Sequence, residues 1–179
     1  NSLNFSSTDT GFNMLGLNSA LPANQQIAEN DVVAVYNLGI PGADAYAAYR
    51  ADAGTNGGGG HNVLIANADE LYDQFGYGIP KHPFSIRHFA EYCVDTFPKT
   101  APPQNLFLIG KSVQTNLGRN QHVDPTGKNY ANSLVPSIAY PTSDNMLVAA
   151  LNGNLITPVI PIGRLAAKNI SDITTYLNK

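Results

Sequence analysis

Charge is scarce in this chain. Charged residues make up 13% of the 179, about half the usual share. Lysine and arginine number 10 against 13 aspartates and glutamates. The net charge of -3 and pI of 5.7 leave no basic footprint for nucleic acid. Cysteine occurs once, at Cys93. That excludes a disulfide framework and any zinc site built from several thiolates. Long hydrophobic runs are missing as well. The apolar stretch 32–36 falls far short of the roughly 20 residues that span a bilayer. There is neither an initiator methionine nor a signal-peptide hydrophobic region, so the chain is expected to be a piece of a longer protein or a processed form. What fills the gap left by charge is uncharged polar residues, 20 of them asparagine, beside 43% apolar residues. Ample apolar content argues against disorder. The length suits one domain with a real core.

Residues 1–30 read as a polar, Asn/Ser-rich leader lying on the domain, with one short strand. From Asp31 onward, strands and helices alternate. The β-branched run 32–36 predicts a buried parallel strand. An Ala-rich helix over 43–53 follows, and Gly57–Gly60 breaks it as a flexible connection. A second strand covers 62–66. Asn67 is placed to cap a helix over 68–75, where Asp69 and Glu70 suit the positive end of the dipole. Pro83 opens a helix over 83–97, with Ile86, Phe89, Ala90 and Cys93 on one face. A third strand covers 105–109. The polar stretch 110–134 is long enough to be either functional or disordered. Ser143 or Asp144 starts a short helix or hairpin. A fourth strand over 157–163 contains Pro161, which cannot donate to a ladder and so belongs at an edge or a bulge. Asn169 or Ser171 caps a last helix. The alternation predicts an α/β fold: a small doubly wound, mostly parallel four-stranded sheet with helices on both faces. Residues 31–179 form that unit.

Candidate sites follow from this layout. Ligands of open α/β sheets bind beyond the carboxyl ends of the strands, which gathers Asn37, Asn67, Lys111 and Arg164 as substrate- or interface-contacting residues. Arg164 suits a carboxylate or a neighbouring domain. Ser143-Asp144-Asn145 is an oxygen-rich group whose Asp144 caps a helix or binds a cation. The run 57–60 precedes a strand, the wrong end for a phosphate loop. Cys93 falls on an apolar helix face and reads as a buried, inert thiol. His61, His82, His88 and His122 show no metal spacing and read as solvated. No Ser/His/Asp order or nucleophile elbow is visible.

The order of several motifs resembles the gingipain-type cysteine peptidase family. Asp73-Gln74-Phe75-Gly76-Tyr77-Gly78, then Pro83, then Ile86-Arg87-His88-Phe89 resembles that family's Phe-x-Tyr-Gly turn and Ile-Arg-x-Phe helix. The strand 105–109 ending at Gly110, the segment Pro141-Thr142-Ser143-Asp144, the strand ending Ile162-Gly163-Arg164-Leu165 and the final helix agree in order. The departures are Lys111 where the family has Asp, Val159 where it often has Asp, Pro161 within the strand, and the inserted glycine run. The resemblance implies a caspase-like fold and the first, amino-terminal of two α/β subdomains. In the family the nucleophilic cysteine and His-Gly base lie in the second. No histidine here precedes glycine, and Cys93 does not match the nucleophile, so no catalytic residue carries over.

The implied role is a non-catalytic structural subdomain of a secreted or cell-surface cysteine peptidase. Its partners would be the catalytic subdomain of the same parent chain and the parent's protein or peptide substrate. That parent would be a degradative protease or the related enzyme of type IX secretion. No cofactor is required, and the resemblance admits calcium. Two rivals stand beside this reading. One is a secreted binding module with a degenerate peptidase fold, and the other is a flavodoxin-like ligand-binding domain.

Overall fold

A computed structural model describes residues 32–36, 42–96, 103–114, 127–151, 153 and 157–179. The leader at 1–30, Asn37 and His122 lie outside the described residues. Four strands, β1 (Val32–Tyr36), β2 (Val63–Asn67), β3 (Asn105–Ile109) and β4 (Ile162–Leu165), form one parallel sheet in the order β2-β1-β3-β4. β1 pairs in register with both neighbours, Tyr36 standing opposite Asn67 on one side and Ile109 on the other. The chain thus moves outward from β1 to β2, then returns across β1 to β3 and β4. The switch point lies between β1 and β3.

Side chains alternate across the sheet, as a period of two demands. Leu64, Ala66, Leu106 and Leu108 enter one core with α2 (Ala68–Phe75) and α3 (Ser85–Thr96). Val63, Ile65, Phe107 and Ile109 face the other way, toward α1 (Ala43–Ala51) and α6 (Ile170–Leu177). Tyr46 of α1 stacks on Phe107 with ring centroids 4.4 Å apart. Burial pushes the Tyr46 hydroxyl up to about 12. Apolar residues on both faces explain why β2 and β3 read as continuous hydrophobic runs. Two helices lie on each side, which is the doubly wound arrangement.

Local chemistry sets the ends of the elements. Asn67 is 2% exposed, and its side-chain oxygen accepts from the Asp69 amide at 3.2 Å, capping α2. Asn67→Ala is expected to cost about 1 kcal/mol in urea unfolding; an unchanged midpoint would remove the cap from the account. Asn169 caps α6 in the same way, accepting from the Asp172 amide at 3.2 Å. Pro83 precedes α3 rather than opening it, because the chain turns first, with Ser85 donating its amide to the His82 carbonyl at 3.2 Å.

Pro161 sits one residue before β4, on the sheet's edge, and its carbonyl accepts from the Leu106 amide at 2.9 Å. Without an N–H, proline still contributes its acceptor to the ladder, so the strand starts after it. The polar stretch 110–134 contains a short helix, α4 (Lys128–Asn132), and α5 (Asn145–Val148) follows.

The glycine run is not a loose connection. Gly58 donates to the Tyr49 carbonyl at 2.7 Å, and Gly59 and Gly60 donate to that of Asp52 at 3.1 Å. These amides satisfy the open carbonyl end of α1. A Cβ on Gly58 would lie 2.6 Å from the Arg50 Cα, so the close approach requires glycine there.

Candidate functional site

At the carboxyl end of β3 the structure brings together Arg164, Asp144 and the Gly110–Lys111 backbone. Arg164, on the neighbouring strand β4, crosses toward it. Its Nη1 donates to the carbonyls of Gly110 at 2.6 Å and Val135 at 2.8 Å. Its Nε and Nη2 donate to the two carboxylate oxygens of Asp144, each at 2.8 Å. The fork is bidentate, the geometry that a planar guanidinium suits best. Ser137 donates its hydroxyl to Asp144 Oδ1 at 2.7 Å. The Arg164 side chain is 12% exposed and that of Asp144 26%. Burial alone would raise the Asp144 carboxyl, but the hydrogen bonds and charge of Arg164, with the Ser137 hydroxyl, outweigh it and hold the pKa below the usual aspartate range.

This geometry decides several candidates. Asp144 stands at the N-cap position of α5 but makes no side-chain cap bond. Its two oxygens are engaged by Arg164 and Ser137, so the carboxylate offered as a cap or cation ligand is the anion of an ion pair. Among the described residues, no group of three or more His, Cys, Asp or Glu side chains is placed to hold a metal ion. Arg164, offered as a carboxylate-binding or domain-contacting group, spends its donors inside the subunit.

Lys111 follows Gly110 at the end of β3. Its amide donates to the Ala167 carbonyl at 2.9 Å, and its carbonyl accepts from the Leu134 and Val135 amides. Gly110 itself has φ +149, and a Cβ there would meet Val135 Cγ2 at 2.6 Å, so only glycine fits beside the Arg164 fork. Asn67 ends β2, at the far side of the sheet from β4. Three strand spacings put Asn67 and Arg164 roughly 14 Å apart, so they do not share a site.

Among the described residues, the one thiol and three imidazoles are also held within the fold. Cys93 is 1% exposed in the core of α3, and burial raises its pKa well above the usual thiol range. His88 was expected to be solvated, yet it is half-buried with Nδ1 2.9 Å from the Phe75 carbonyl. A partly apolar setting at the α2–α3 turn explains the difference: Tyr77 and Phe84 lie against its ring. His61 and His82 are half-buried and partnered too.

The motif helix is now legible in physical terms. Ile86 and Phe89 are fully buried, while Arg87 between them donates to the carbonyls of Met146 at 2.7 Å and Ala149 at 2.5 Å. It thereby binds α3 to α5. Phe75 packs on Phe89 and Tyr92 at ring distances of 5.5 and 5.6 Å. No spacing rule links Asp144 to Arg164 or Arg87 to Ala149, so these long-range partnerships could not be read from the sequence.

The sequence pattern of Peptidase family C25 matches residues 26–179. The chain belongs to peptidase family C25, the gingipain family. Among curated proteins, no relative matches this C25 chain. Its fold is similar to dimeric latent PorU from Porphyromonas gingivalis, with a TM-score of 0.62 at 18% identity. That superposition covers 83% of this chain and 15% of the PorU chain, so the C25 chain spans a small part of that protein's length. The likeness establishes a caspase- and gingipain-like α/β fold. The five sequence motifs that resemble the family therefore fall within a C25 match and on that fold. Among the described residues, no helix is long and apolar enough to cross a membrane.

Proposed function

We propose that this chain is the non-catalytic, amino-terminal subdomain of a gingipain-like cysteine peptidase, supporting a catalytic subdomain that follows Lys179 in the parent protein. The parent hydrolyses protein or peptide substrates and acts outside the cell or at its surface. The observation that carries the reading is the state of the only cysteine. A nucleophilic thiol needs a thiolate, an imidazole partner and oxyanion donors in an accessible setting. Cys93 is sealed among Ile86, Phe89 and Ala90 in the core, and burial disfavours its thiolate. Peptidase family membership beside a sealed thiol supports seeking the chemistry elsewhere in the parent.

Supporting a neighbour is a task this architecture suits. The Arg164 fork and the Arg87 clamp fix the 135–149 segment against the sheet and α3. Such a body presents a rigid surface rather than a pocket of reactive groups.

Three measurements test the proposal. The chain should show no thiol-dependent peptide cleavage and no iodoacetamide labelling of native Cys93. Turnover that disappears in Cys93→Ala would overturn the reading. Reading the parent frame past Lys179, a His-Gly pair and a strand-end cysteine are expected within about 100–150 residues, one further domain. A stop codon or an unrelated domain would instead favour a binding module of peptidase ancestry.

A further inference from the structure

The helix α4 buries none of its five residues. A helix this short gains little from its own hydrogen bonds, and most helical stability in proteins comes from packing an apolar face. Something else must hold it, and the structure shows what does. Lys81, in the turn between α2 and α3, places its ammonium over the Tyr130 ring, 4.1 Å from the centroid. The same ammonium donates to the Tyr130 carbonyl. One cation thus meets both a ring face and the carbonyl end of the helix, two positions that attract positive charge.

We infer that residues 127–133 form a strap latched by Lys81, which opens and closes as a unit while the rest of the domain stays folded. The inference is independent of the peptidase reading. Three observations carry it beyond the single contact.

First, the strap has a firm downstream anchor. The Leu134 and Val135 amides both donate to the Lys111 carbonyl, at 2.8 and 3.2 Å, and Val135 is held again by Arg164. The Tyr72 hydroxyl donates to the Leu134 carbonyl at 3.3 Å. Motion of the strap therefore pivots at Ser133–Leu134. Second, Lys81 holds φ +58, a left-handed conformation that an L-residue adopts at a cost of about 1 kcal/mol. Strain of this kind persists where the surroundings impose it. Third, Lys81 is half-buried, and burial lowers its pKa despite the opposing pull of Asp69. Its lost hydration is replaced in part by the Tyr130 ring and carbonyl.

The strap meets the sheet at the carboxyl end of β3, the side on which α/β folds receive ligands and partners. The latch thus lies beside the Lys111 and Leu134 backbone at this end of the sheet.

The experiment follows hydrogen exchange of the Ala131 and Ser133 amides, which bond to the Gly127 and Asn129 carbonyls in the closed state, together with trypsin cleavage after the exposed Lys128. Lys81→Met keeps the aliphatic stem and removes charge and donor. It is expected to speed both readouts at least about tenfold, with exchange in β3 and α3 unchanged. Lys81→Arg, which restores both, is expected to behave as the parent chain. Tyr130→Ala, which keeps the carbonyl and loses the ring, is expected to fall between. Unchanged α4 exchange in Lys81→Met overturns the latch. Acceleration across α3 and β3 in step with α4 overturns it as well, because the strap would then not open by itself.

Discussion

Arg164→Ala is expected to destabilise the fold by about 3–5 kcal/mol, read from the shift in urea midpoint at constant slope. The size follows from what the substitution leaves behind. Asp144 would keep a largely buried carboxylate with only the Ser137 hydroxyl at 2.7 Å as a partner. The Gly110 and Val135 carbonyls would lose the donor they share. Arg164→Lys keeps the charge but replaces the fork with a point donor, and an intermediate loss is expected. Asp144→Ala should cost nearly as much as Arg164→Ala, since it strands the guanidinium. Replacing both residues by apolar ones should cost much less than the sum of the two single losses. If the single losses simply add, or stay below about 1 kcal/mol, the network does not hold the 135–149 segment in place.

The same network predicts a pH dependence. The folded Asp144 carboxyl lies below its ordinary value near 4. A depressed carboxyl binds its proton less readily in the folded state than in the unfolded one. Its contribution is therefore complete above the unfolded pKa and is lost as pH falls through the folded one. Comparing unfolding midpoints from pH 6 downward, the parent chain is expected to lose stability faster than Asp144→Asn. Parallel curves would remove Asp144 from the acid response.

How much of this was legible beforehand depended on the range of the interaction. The strands 32–36 and 105–109, the caps at Asn67 and Asn169 and the buried face of Ile86, Phe89, Ala90 and Cys93 are local or periodic features, and they appear as read. Pro161 pointed to an edge strand and lies beside one, although β4 starts later because proline ends the run of donors. The glycine run misled because flexibility was inferred from composition, whereas glycine here permits a close approach to the end of α1. The candidate site was legible as a set of residue types at strand ends but not as a geometry. Asn67 had one local role, the cap, and the structure uses it for that. Arg164 and Asp144 stand 20 positions apart and carry no local signal of each other. The strand-end layout named Arg164 and the oxygen-rich segment named Asp144, and neither paired them.

Phe89→Ala carries the other large expected effect, again about 3–5 kcal/mol, from lost burial plus the cavity left in the core. Phe89 is fully buried, while Phe84, five residues earlier, is 45% exposed. Phe84→Ala should therefore stay within about 0.5 kcal/mol and serves as the control. The pair separates two readings of the aromatic motif. A binding role would place the energetic weight on the exposed ring and leave the buried one as filler. A structural role places it on Phe89, against which Phe75 packs from the end of α2. Cys93 gives a second readout, one helical turn further along the same face. In the parent chain its labelling by iodoacetamide requires opening of the core. A loss of 3–5 kcal/mol raises the open population by about 10²–10³-fold or more, and labelling should accelerate in proportion. Rapid labelling in the parent chain would mean that the thiol is accessible without unfolding, and the assignment of all peptidase chemistry to the rest of the parent protein would fall with it.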